Sequence, residues 1–333
     1  MKAIIKRFLI AQRKDIRMSL NKLSIITPSL NRKDMLEKVV ENVAAQKYPH
    51  YEHIIIDGGS TDGTVEWAST QSHIRFITEP DKGVYDALNK GLALASGDVV
   101  GFLNTDDLYA ENIFVVIMEG FKDDLISAVA GKAQVFSHIS EGRIETSGNY
   151  DPRDKSLLEC STLGKNYFNA WFFRRTVFEK IGVFNINYKV AGDRDFMLRF
   201  ALNNLKYDTV DKLVYLYRRH PGSLTFSGAD SQRELSARDH LTLTRFYLRN
   251  WKLSAEERDL IAQLHTRECL EMAKRYKKSG NFIKYSSLII ESVRYDSNWM
   301  LKRLWRAALN VIDLAFRSGR YRLNQLTRLI FRE

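Results

Sequence analysis

Residues 23–59, LSIITPSLNRKDMLEKVVENVAAQKYPHYEHIIIDGG, contain the pattern that decides the fold. The apolar run at 23–27 is rich in isoleucine and stops at Pro28, which predicts a short buried strand. Apolar residues then recur at helical spacing from Met35 to Val43, which predicts an amphipathic helix. A second apolar run at 53–56 predicts another strand, and a polar cluster with two glycines follows it. The chain thus alternates between the period of a strand and the period of a helix.

The alternation continues to residue 103 and predicts an α/β fold. Strands are expected at 74–78 and 99–103, with a helix at 85–95 between them. Strands that alternate with helices form a mostly parallel sheet with helices on both faces. Ligands of such sheets bind beyond the carboxyl ends of the strands. Polar clusters follow three of these predicted ends, at 28–31, 57–62 and 104–107.

The rest of the chain has a more mixed pattern and then becomes helical. Strands are expected at 127–135 and 210–217, and a loop or hairpin at 142–150. Beyond about residue 228, charged residues become dense and apolar positions recur at every third or fourth residue, which predicts helices. We therefore divide the chain into a basic N-terminal extension (1–22), an α/β domain (23–228) and a helical, basic C-terminal region (229–333).

The net charge of +11 is concentrated at the two ends of the 333-residue chain. Residues 1–22 carry seven basic side chains against one acidic, and residues 301–333 carry eight against two. The sequence between them is almost neutral, which argues against nucleic acid as a partner. Basic ends are attracted to anionic lipid head groups. The apolar stripe in 301–316 fits either a membrane-interface helix or packing on the α/β domain, and both interpretations stay open.

Targeting and cysteine patterns predict a cytoplasmic protein. The first ten residues have too short an apolar core for a signal peptide, and no run of about 18 apolar residues predicts a transmembrane helix. The two cysteines, Cys160 and Cys269, are far apart and lie in no CxxC motif. We therefore expect neither a disulfide scaffold nor a zinc site, and we expect a reducing compartment.

Residues 103–107 (LNTDD) place two adjacent carboxylates at the end of a buried strand. Such a concentration of negative charge is costly unless a cation is present. Carboxylate oxygens suit Mg²⁺ or Mn²⁺, which in turn bridge diphosphate oxygens. The alternative is a solvated turn in which Asp107 caps the next helix.

Residues 57–64 (DGGSTDGT) follow the second predicted strand. The two glycines let the backbone approach a ligand closely, and Asp57 is placed to accept a hydrogen bond from a base. The alternative is a turn followed by a helix N-cap at Asp62 or Thr64. The segment contains neither GxGxxG nor a P-loop motif, so it indicates neither a dinucleotide fold nor a P-loop enzyme.

Residues 191–199 (AGDRDFMLR) and His220 are further candidates. A carboxylate in the first segment could act as a general base towards an acceptor hydroxyl. The alternative is that Asp193 or Asp195 caps the predicted helix. His220 stands beside a proline, where a histidine is commonly structural, but its neutral imidazole could also bind a metal.

Seven segments in this order together resemble glycosyltransferase family 2, the inverting GT-A enzymes, and among them the bacterial polysaccharide-assembly members. The resemblance covers about residues 23–225. The segments are 28–32 (PSLNR), 57–64, 79–91 (EPDKGVYDALNKG), 103–107, 172–175 (FFRR), 191–199 and His220.

The resemblance implies a GT-A type domain at 23–228, with a mostly parallel nucleotide-binding sheet flanked by helices and a C-terminal helical extension. It implies that Asp193 is the general base and that Asp106 and His220 hold Mn²⁺ or Mg²⁺. It also implies a set of residues that contact the nucleotide-sugar: Thr27, Pro28, Asn31, Asp57, Lys82, Gly83, Asp86, Asn104, Thr105 and Asp106. Two positions depart from the family pattern, since Asn104 replaces the usual first aspartate and Gly192 stands where many members carry glutamate.

The resemblance therefore implies an inverting hexosyl- or N-acetylhexosaminyltransferase of cell-envelope polysaccharide biosynthesis. Its donor would be a nucleotide-sugar, with uracil as the expected base, and its acceptor a glycan or a lipid-linked glycan. It would lie in the cytoplasm, with a peripheral position on the inner face of the membrane if the basic ends bind lipid. The alternative is a non-catalytic nucleotide-sugar- or carbohydrate-binding protein of the same fold.

Overall fold

One mixed sheet organises the computed structural model, which describes residues 22–138, 144–165, 167–219 and 230–297. Nine strands formed by these residues make up the sheet. In chain order they are β1 (Leu23–Ser29), β2 (Tyr51–Asp57), β3 (Arg75–Thr78), β4 (Val99–Phe102), β5 (Leu108–Tyr109), β6 (Ala128–His138), β7 (Ile144–Tyr150), β8 (Trp171–Arg174) and β9 (Tyr207–Arg218).

The described residues also form ten α-helices. In chain order they are α1 (Lys33–Ala44), α2 (Thr64–Ser69), α3 (Val84–Leu94), α4 (Ile113–Gly120), α5 (Leu157–Thr162), α6 (Arg175–Ile181), α7 (Gly192–Leu202), α8 (Asp230–Asn250), α9 (Ala255–Lys278) and α10 (Phe282–Tyr295).

The strand order is β3-β2-β1-β4-β8-β6-β9-β5, and β7 pairs with β6. The first four strands are parallel to one another. Strand β8 is antiparallel to both β4 and β6, whereas β9 is parallel to β6 and antiparallel to β5. The predicted α/β fold with a parallel half of the sheet is confirmed, and within the predicted loop or hairpin at 142–150 the residues Ile144–Tyr150 form β7, which pairs antiparallel with β6.

Pro28 lies inside β1, whereas the sequence predicted that the strand ends there. It pairs with Ile56 of β2, but the pairing of β1 with β4 extends only to Ile26 and Phe102. At that end the N–H of Leu103 donates to the carbonyl oxygen of Ile26 (3.0 Å). Pro28 therefore lies beyond the β4 ladder, where its missing N–H breaks no strand hydrogen bond.

An aromatic cluster holds helix α7 against the sheet. The ring centroid of Phe102 in β4 lies 5.2 Å from that of Phe168 and 5.4 Å from that of Phe184. Phe196 of α7 lies 5.2 Å from Phe184, and all four side chains are buried. Full burial of a phenylalanine contributes about 1.5–3 kcal/mol. The cluster therefore fixes the helix that carries Asp193 relative to β4.

The described chain divides into two compact units, with the boundary inside α8. One unit ends at Asp239 and the other begins at His240. The helical pattern predicted beyond residue 228 is confirmed over 230–297. The apolar stripe at 301–316 and most of the basic N-terminal extension lie outside the described residues.

Candidate active site

The carboxyl ends of β1, β2, β3 and β4 lie along one edge of the sheet, and predicted polar loops follow them. In the parallel register Ser29 lies opposite Asp57, and Asp57 lies opposite Thr78. The N–H of Gly58 donates to the carbonyl oxygen of Ser29 (2.8 Å), and that of Glu79 donates to the carbonyl oxygen of Asp57 (2.9 Å). The segments at 28–32, 57–64 and 79–91 therefore begin side by side.

Asp57 organises the loop that follows β2. Its side chain is fully buried, and Oδ2 accepts hydrogen bonds from the N–H of Gly59 (3.0 Å), the N–H of Ser60 (2.8 Å) and the hydroxyl of Thr78 (2.8 Å). Oδ1 accepts from the hydroxyl of Ser60. Both oxygens are thus engaged within the protein, and the predicted contact of Asp57 with a base stays a prediction.

Asn31 joins the first loop to the second. Its backbone lies in the left-handed region (φ 51°), which asparagine tolerates better than most residues. Its Oδ1 accepts from the N–H of Thr61 (2.8 Å), and its own N–H donates to the hydroxyl of Ser60 (2.7 Å). Asn31 is exposed beside half-buried Pro28, so both lie at the rim of this sheet edge.

Thr27 differs from these neighbours because its side chain points into the protein. It is fully buried, and its hydroxyl lies 2.9 Å from Nε2 of His53. Burial and the nearby charge of His73 lower the pKa of His53 to about 3, so this imidazole is neutral. The structure therefore engages the Thr27 hydroxyl inside the sheet, and its predicted contact with the nucleotide stays a prediction.

At the end of the loop that follows β2, neither Asp62 nor Thr64 is the helix N-cap. The N-cap of α2 is Gly63, in the left-handed region at φ 88°. Asp62 is nevertheless structural, because its Oδ1 accepts from the N–H of Thr64 (3.2 Å) and its Oδ2 from the N–H of Lys33 (3.0 Å). Asp62 thereby connects the beginnings of α1 and α2.

The segment before α3 forms the next part of the edge. The N–H of Lys82 donates to Oδ2 of Asp86 (3.0 Å), and the N–H of Gly83 donates to Oδ1 of Asp81 (2.8 Å). Gly83 has φ 119°, which strongly favours glycine. A β-carbon on Gly58 would lie 2.7 Å from Oδ2 of Asp81, so the loops after β2 and β3 touch. The Lys82 side chain is exposed at this rim.

The two carboxylates of LNTDD have different environments. Asp107 is buried and accepts from the hydroxyl of Tyr215, the N–H of Arg218 (2.8 Å) and Nδ2 of Asn104 (3.2 Å). Burial and the charge of Asp106 raise the pKa of Asp107 to about 8, despite these hydrogen bonds. The following helix has Asn112 as its N-cap, so the interpretation of Asp107 as its cap is wrong. Asp107 instead holds the end of β9.

Asp106 is the more exposed carboxylate of the pair. Its side chain is half-buried, and that of the preceding Thr105 is buried. Nε of Arg218 donates to the backbone oxygen of Asp106 (2.8 Å). Arg218 stands two residues before His220, and His220 itself lies outside the described residues. The end of β9 is therefore anchored at the segment predicted to bind the metal, while the role of His220 stays a prediction.

Tyr85 connects this edge of the sheet to Asp193. Its hydroxyl lies 2.8 Å from the carbonyl oxygen of Val190 and 3.2 Å from Oδ1 of Asp193. Burial raises the pKa of Tyr85 well above its ordinary value, and the charge of Asp193 raises it further, so the phenol stays a protonated donor. Tyr85 is the second residue of α3, and the loop that contains Lys82 and Gly83 precedes this helix. Asp193 is therefore connected to the segment at the start of α3 rather than to a remote face.

Packing against the Tyr85 ring explains why residue 192 is a glycine, which is one of the two departures from the family pattern. A β-carbon on Gly192 would lie 2.8 Å from three carbons of the Tyr85 ring. Any larger side chain there would displace the ring or the start of α7. Tyr85 had no predicted role. Its place in the motif DKGVYDALNKG was the available signal, but the motif does not say that its partner lies 108 residues away.

The backbone before Asp193 is fixed by a residue that sequence reasoning also missed. Oδ2 of Asp239 accepts from the N–H of Lys189 (2.6 Å) and of Val190 (2.7 Å). The N-cap of α7 is Ala191, so neither Asp193 nor Asp195 occupies the capping position. Asp195 is buried and pairs with Arg199 (2.9 Å). Half-buried Asp193 is the carboxylate that lies beside Tyr85.

The donor atoms of this edge suit a hard divalent cation. Mg²⁺ and related ions bind one or two protein carboxylates and complete their coordination with water and phosphate oxygens. Asp106 offers such a carboxylate next to Asp107, whose pKa is raised first by burial and then by the charge of Asp106. The arrangement therefore combines a half-buried carboxylate after β4, polar loops at the strand ends and a second carboxylate on α7.

The chain is similar in sequence to known glycosyltransferases. The profile of the family described as "Glycosyl transferase family 2" matches residues 24–182. An uncharacterized glycosyltransferase of Mycobacterium tuberculosis is 34% identical over 187 residues, which cover 54% of this chain and 69% of that protein. The PGL/p-HBAD biosynthesis glycosyltransferase of Mycobacterium bovis is 30% identical over 187 residues, which cover 54% of this chain and 70% of that protein.

Solved structures share the fold. S. aureus TarS in complex with UDP-GlcNAc superposes with a TM-score of 0.60 at 17% identity, over 82% of this chain and 81% of that chain. The mannosyltransferase PcManGT from Pyrobaculum calidifontis, in complex with GDP-Man and Mn²⁺, gives a TM-score of 0.52 at 18% identity, over 86% and 83% of the two chains. At these identities the similarity shows the fold alone.

Proposed function

The chain belongs to glycosyl transferase family 2, and from that premise we propose that it transfers a sugar from a nucleotide-sugar to an acceptor hydroxyl with inversion at the anomeric carbon. The hydrogen-bonded proximity of Tyr85 and Asp193 is the observation that carries the proposal. It connects a carboxylate on α7 to the loop at Lys82 and Gly83, which adjoins the ends of the parallel strands. A donor bound at those ends would present its sugar towards Asp193.

In the proposed reaction Asp193 acts as the general base. It takes the proton of the acceptor hydroxyl while the acceptor oxygen forms a bond to the anomeric carbon and the nucleoside diphosphate leaves with the electron pair of the broken bond. A single displacement of this kind inverts the anomeric configuration. The Tyr85 hydroxyl orients the carboxylate, since it contacts Oδ1 from the side of α3.

We assign the nucleotide to the loops that end β1, β2 and β3. Exposed Asn31 and the Lys82 side chain supply an amide group and a positive charge at the rim, and exposed Gly83 has no side chain that would keep a ligand from the backbone. Uracil is the base we expect. Asp57 would accept a hydrogen bond from it only after the Ser60 hydroxyl, which now donates to Oδ1 of Asp57, rotates away. TarS binds UDP-GlcNAc and PcManGT binds GDP-Man, which supports a nucleoside diphosphate sugar as donor.

Asp106 and His220 are the residues we assign to Mn²⁺ or Mg²⁺, and Asn104 and Thr105 to the adjoining nucleotide. The presence of Mn²⁺ in PcManGT supports a divalent ion. When bound, the ion neutralises the charge that develops on the leaving diphosphate. This chain's own residues position it, since the hydrogen bonds of Arg218 and Asp107 hold the LNTDD turn in place.

The acceptor we propose is a glycan or a lipid-linked glycan in surface polysaccharide biosynthesis. The relative named for PGL/p-HBAD biosynthesis supports an envelope role. No helix of the described chain has the length and apolar character needed to cross a bilayer. Attachment to an anionic membrane surface would then depend on the basic segments 1–22 and 301–333. Salt-sensitive flotation of the protein with anionic liposomes tests this, and absence of flotation removes the membrane role.

Release of nucleoside diphosphate from a panel of UDP-, GDP- and dTDP-sugars, with Mn²⁺ and an acceptor extract, tests the proposed activity. Turnover of one donor is the expected result. The competing function is a non-catalytic nucleotide-sugar- or carbohydrate-binding protein of this fold, based on Asn104 and Gly192. The contact of Gly192 with Tyr85 weakens that alternative, and donor binding without release of nucleotide would restore it.

A further inference from the structure

A histidine, a cysteine and a glutamate come together in the unit that begins at His240. His265 and Cys269 lie one turn apart on α9, in the sequence HTREC, and Glu291 lies on α10. Nε2 of His265 is 3.4 Å from Sγ of Cys269 and 3.4 Å from Oε1 of Glu291. All three potential ligand atoms lie within 4.8 Å of one another. None of these residues belongs to the candidate active site.

A hydrogen bond on the other side of the ring determines where the histidine lone pair points. The Thr244 hydroxyl donates to the carbonyl oxygen of His240 (2.7 Å), so its oxygen accepts from Nδ1–H of His265 (2.8 Å). A neutral imidazole protonated at Nδ1 carries its lone pair on Nε2. That lone pair faces Cys269 and Glu291. Metal-bound histidines typically donate their second N–H in this way, which fixes the tautomer and the ring orientation.

The third residue is an oriented, ionised carboxylate. Nε of Arg245 donates to Oε1 of Glu291 (2.6 Å), and Nη2 donates to Oε2 (2.8 Å). This fork holds the carboxylate plane and leaves Oε1 with a second lone pair. The Nε2 lone pair of His265 and the Oε1 atom of Glu291 are both hydrogen-bond acceptors, so they repel each other at 3.4 Å. A proton or a cation between the two atoms would stabilise this arrangement.

We propose that His265, Cys269 and Glu291 form a zinc site that joins α9 to α10. Zinc binds histidine nitrogen, cysteine sulfur and carboxylate oxygen at about 2.0–2.3 Å in a tetrahedron, which separates the ligand atoms by about 3.3–3.6 Å. The two 3.4 Å separations at Nε2 match this spacing. Formation of the zinc–sulfur bond releases the thiol proton to solvent, and water fills the fourth position.

The site uses both the soft and the hard ligands that zinc accepts, whereas Mg²⁺ would not select a thiolate. Cys269 and His265 are fully buried, and Glu291 is 20% exposed, which leaves one side for entry of the ion. The sequence had led us to expect no zinc site, because it has no CxxC motif. The signal was the four-residue spacing of His265 and Cys269 on a helix, and the third ligand becomes visible only when α10 folds against α9.

Cobalt substitution in the full-length protein tests the proposal. The protein is stripped with a chelator and titrated with Co²⁺, whose bond to a thiolate produces a charge-transfer absorption in the near ultraviolet. We expect this band to saturate at one equivalent and to disappear on addition of Zn²⁺. Cys269→Ser should abolish it. The matched control Cys160→Ser, which removes the only other cysteine of the chain, should leave it unchanged.

A second variant tests the role of the hydrogen bond at Nδ1. Thr244→Val removes the acceptor, and loss of such a partner typically lowers metal affinity about 10–100-fold. Zn²⁺ should raise the midpoint of thermal unfolding of the wild type and of Cys160→Ser. A wild-type protein that shows no thiolate band and no such shift overturns the proposal, whatever the folding of the variants. A band that survives Cys269→Ser overturns it equally, and cobalt bound at Asp106 gives no thiolate band.

Discussion

Tyr85→Phe removes one hydroxyl and leaves the ring that packs against Gly192. The lost hydrogen bond to the Asp193 carboxylate belongs to a class that contributes about 1.5–3 kcal/mol. The length of 3.2 Å and the competing carbonyl oxygen of Val190 at 2.8 Å place this contact near the lower limit. A loss of about 1.5 kcal/mol in the transition state corresponds to about a tenfold lower kcat.

Steady-state kinetics with the donor identified in the panel measure this effect. We expect kcat to fall about tenfold while the KM for the donor stays unchanged, because the Tyr85 hydroxyl orients the base rather than the nucleotide. Tyr51→Phe is the matched control, since it removes a hydroxyl at the beginning of β2, whereas the candidate site lies at the carboxyl ends of the strands. An unchanged kcat in Tyr85→Phe, or an equal loss of donor affinity, would refute the reasoning.

Gly192→Glu should lower the thermal midpoint and kcat, because overpacking against the Tyr85 ring costs about 1–3 kcal/mol, and Tyr85→Ala should partly rescue its stability. Burial and the charge of His73 lower the pKa of His53 to about 3, so the unfolded chain binds the proton first. The free energy of unfolding should therefore fall as the pH is lowered from about 6.5 to 3, by at most about 1.4 kcal/mol per pH unit. His53→Gln should reduce this slope in urea titrations. Asp106→Ala should abolish the stimulation of donor binding by Mn²⁺ in calorimetry, and equal wild-type affinity with and without the ion would exclude the site.

The parallel half of the sheet was predictable because a helix lies between each of its strands and the next one along the chain. The apolar runs at 23–27, 53–56, 74–78 and 99–103 carry that information locally. The insertion of β8 between β4 and β6 was not predictable, since β8 has only four residues and its partner β4 lies about 70 residues earlier. Periodicity reports which residues form a strand, but it does not report which strand lies beside it.

The candidate site shows the same limit at the level of single residues. The motif LNTDD predicted a pair of carboxylates, but the sequence around them does not distinguish the role of Asp106 from that of Asp107. Only the approach of Tyr215 and Arg218 from β9 shows that Asp107 is the buried, structural acid. Likewise, DGGSTDGT indicated a ligand-binding loop, but in the structure the Asp57 side chain accepts hydrogen bonds from N–H groups of the loop itself.

The assignment of Asp193 as the base that faces the bound donor is tested most directly by Asp193→Asn, with transfer rate and donor affinity measured on the same preparation. The variant keeps the shape of the side chain but cannot take the acceptor proton. General-base assistance contributes about 10²–10⁴-fold, so turnover should fall by that factor while donor affinity is retained. Turnover equal to that of the wild type would show that the acceptor proton goes elsewhere.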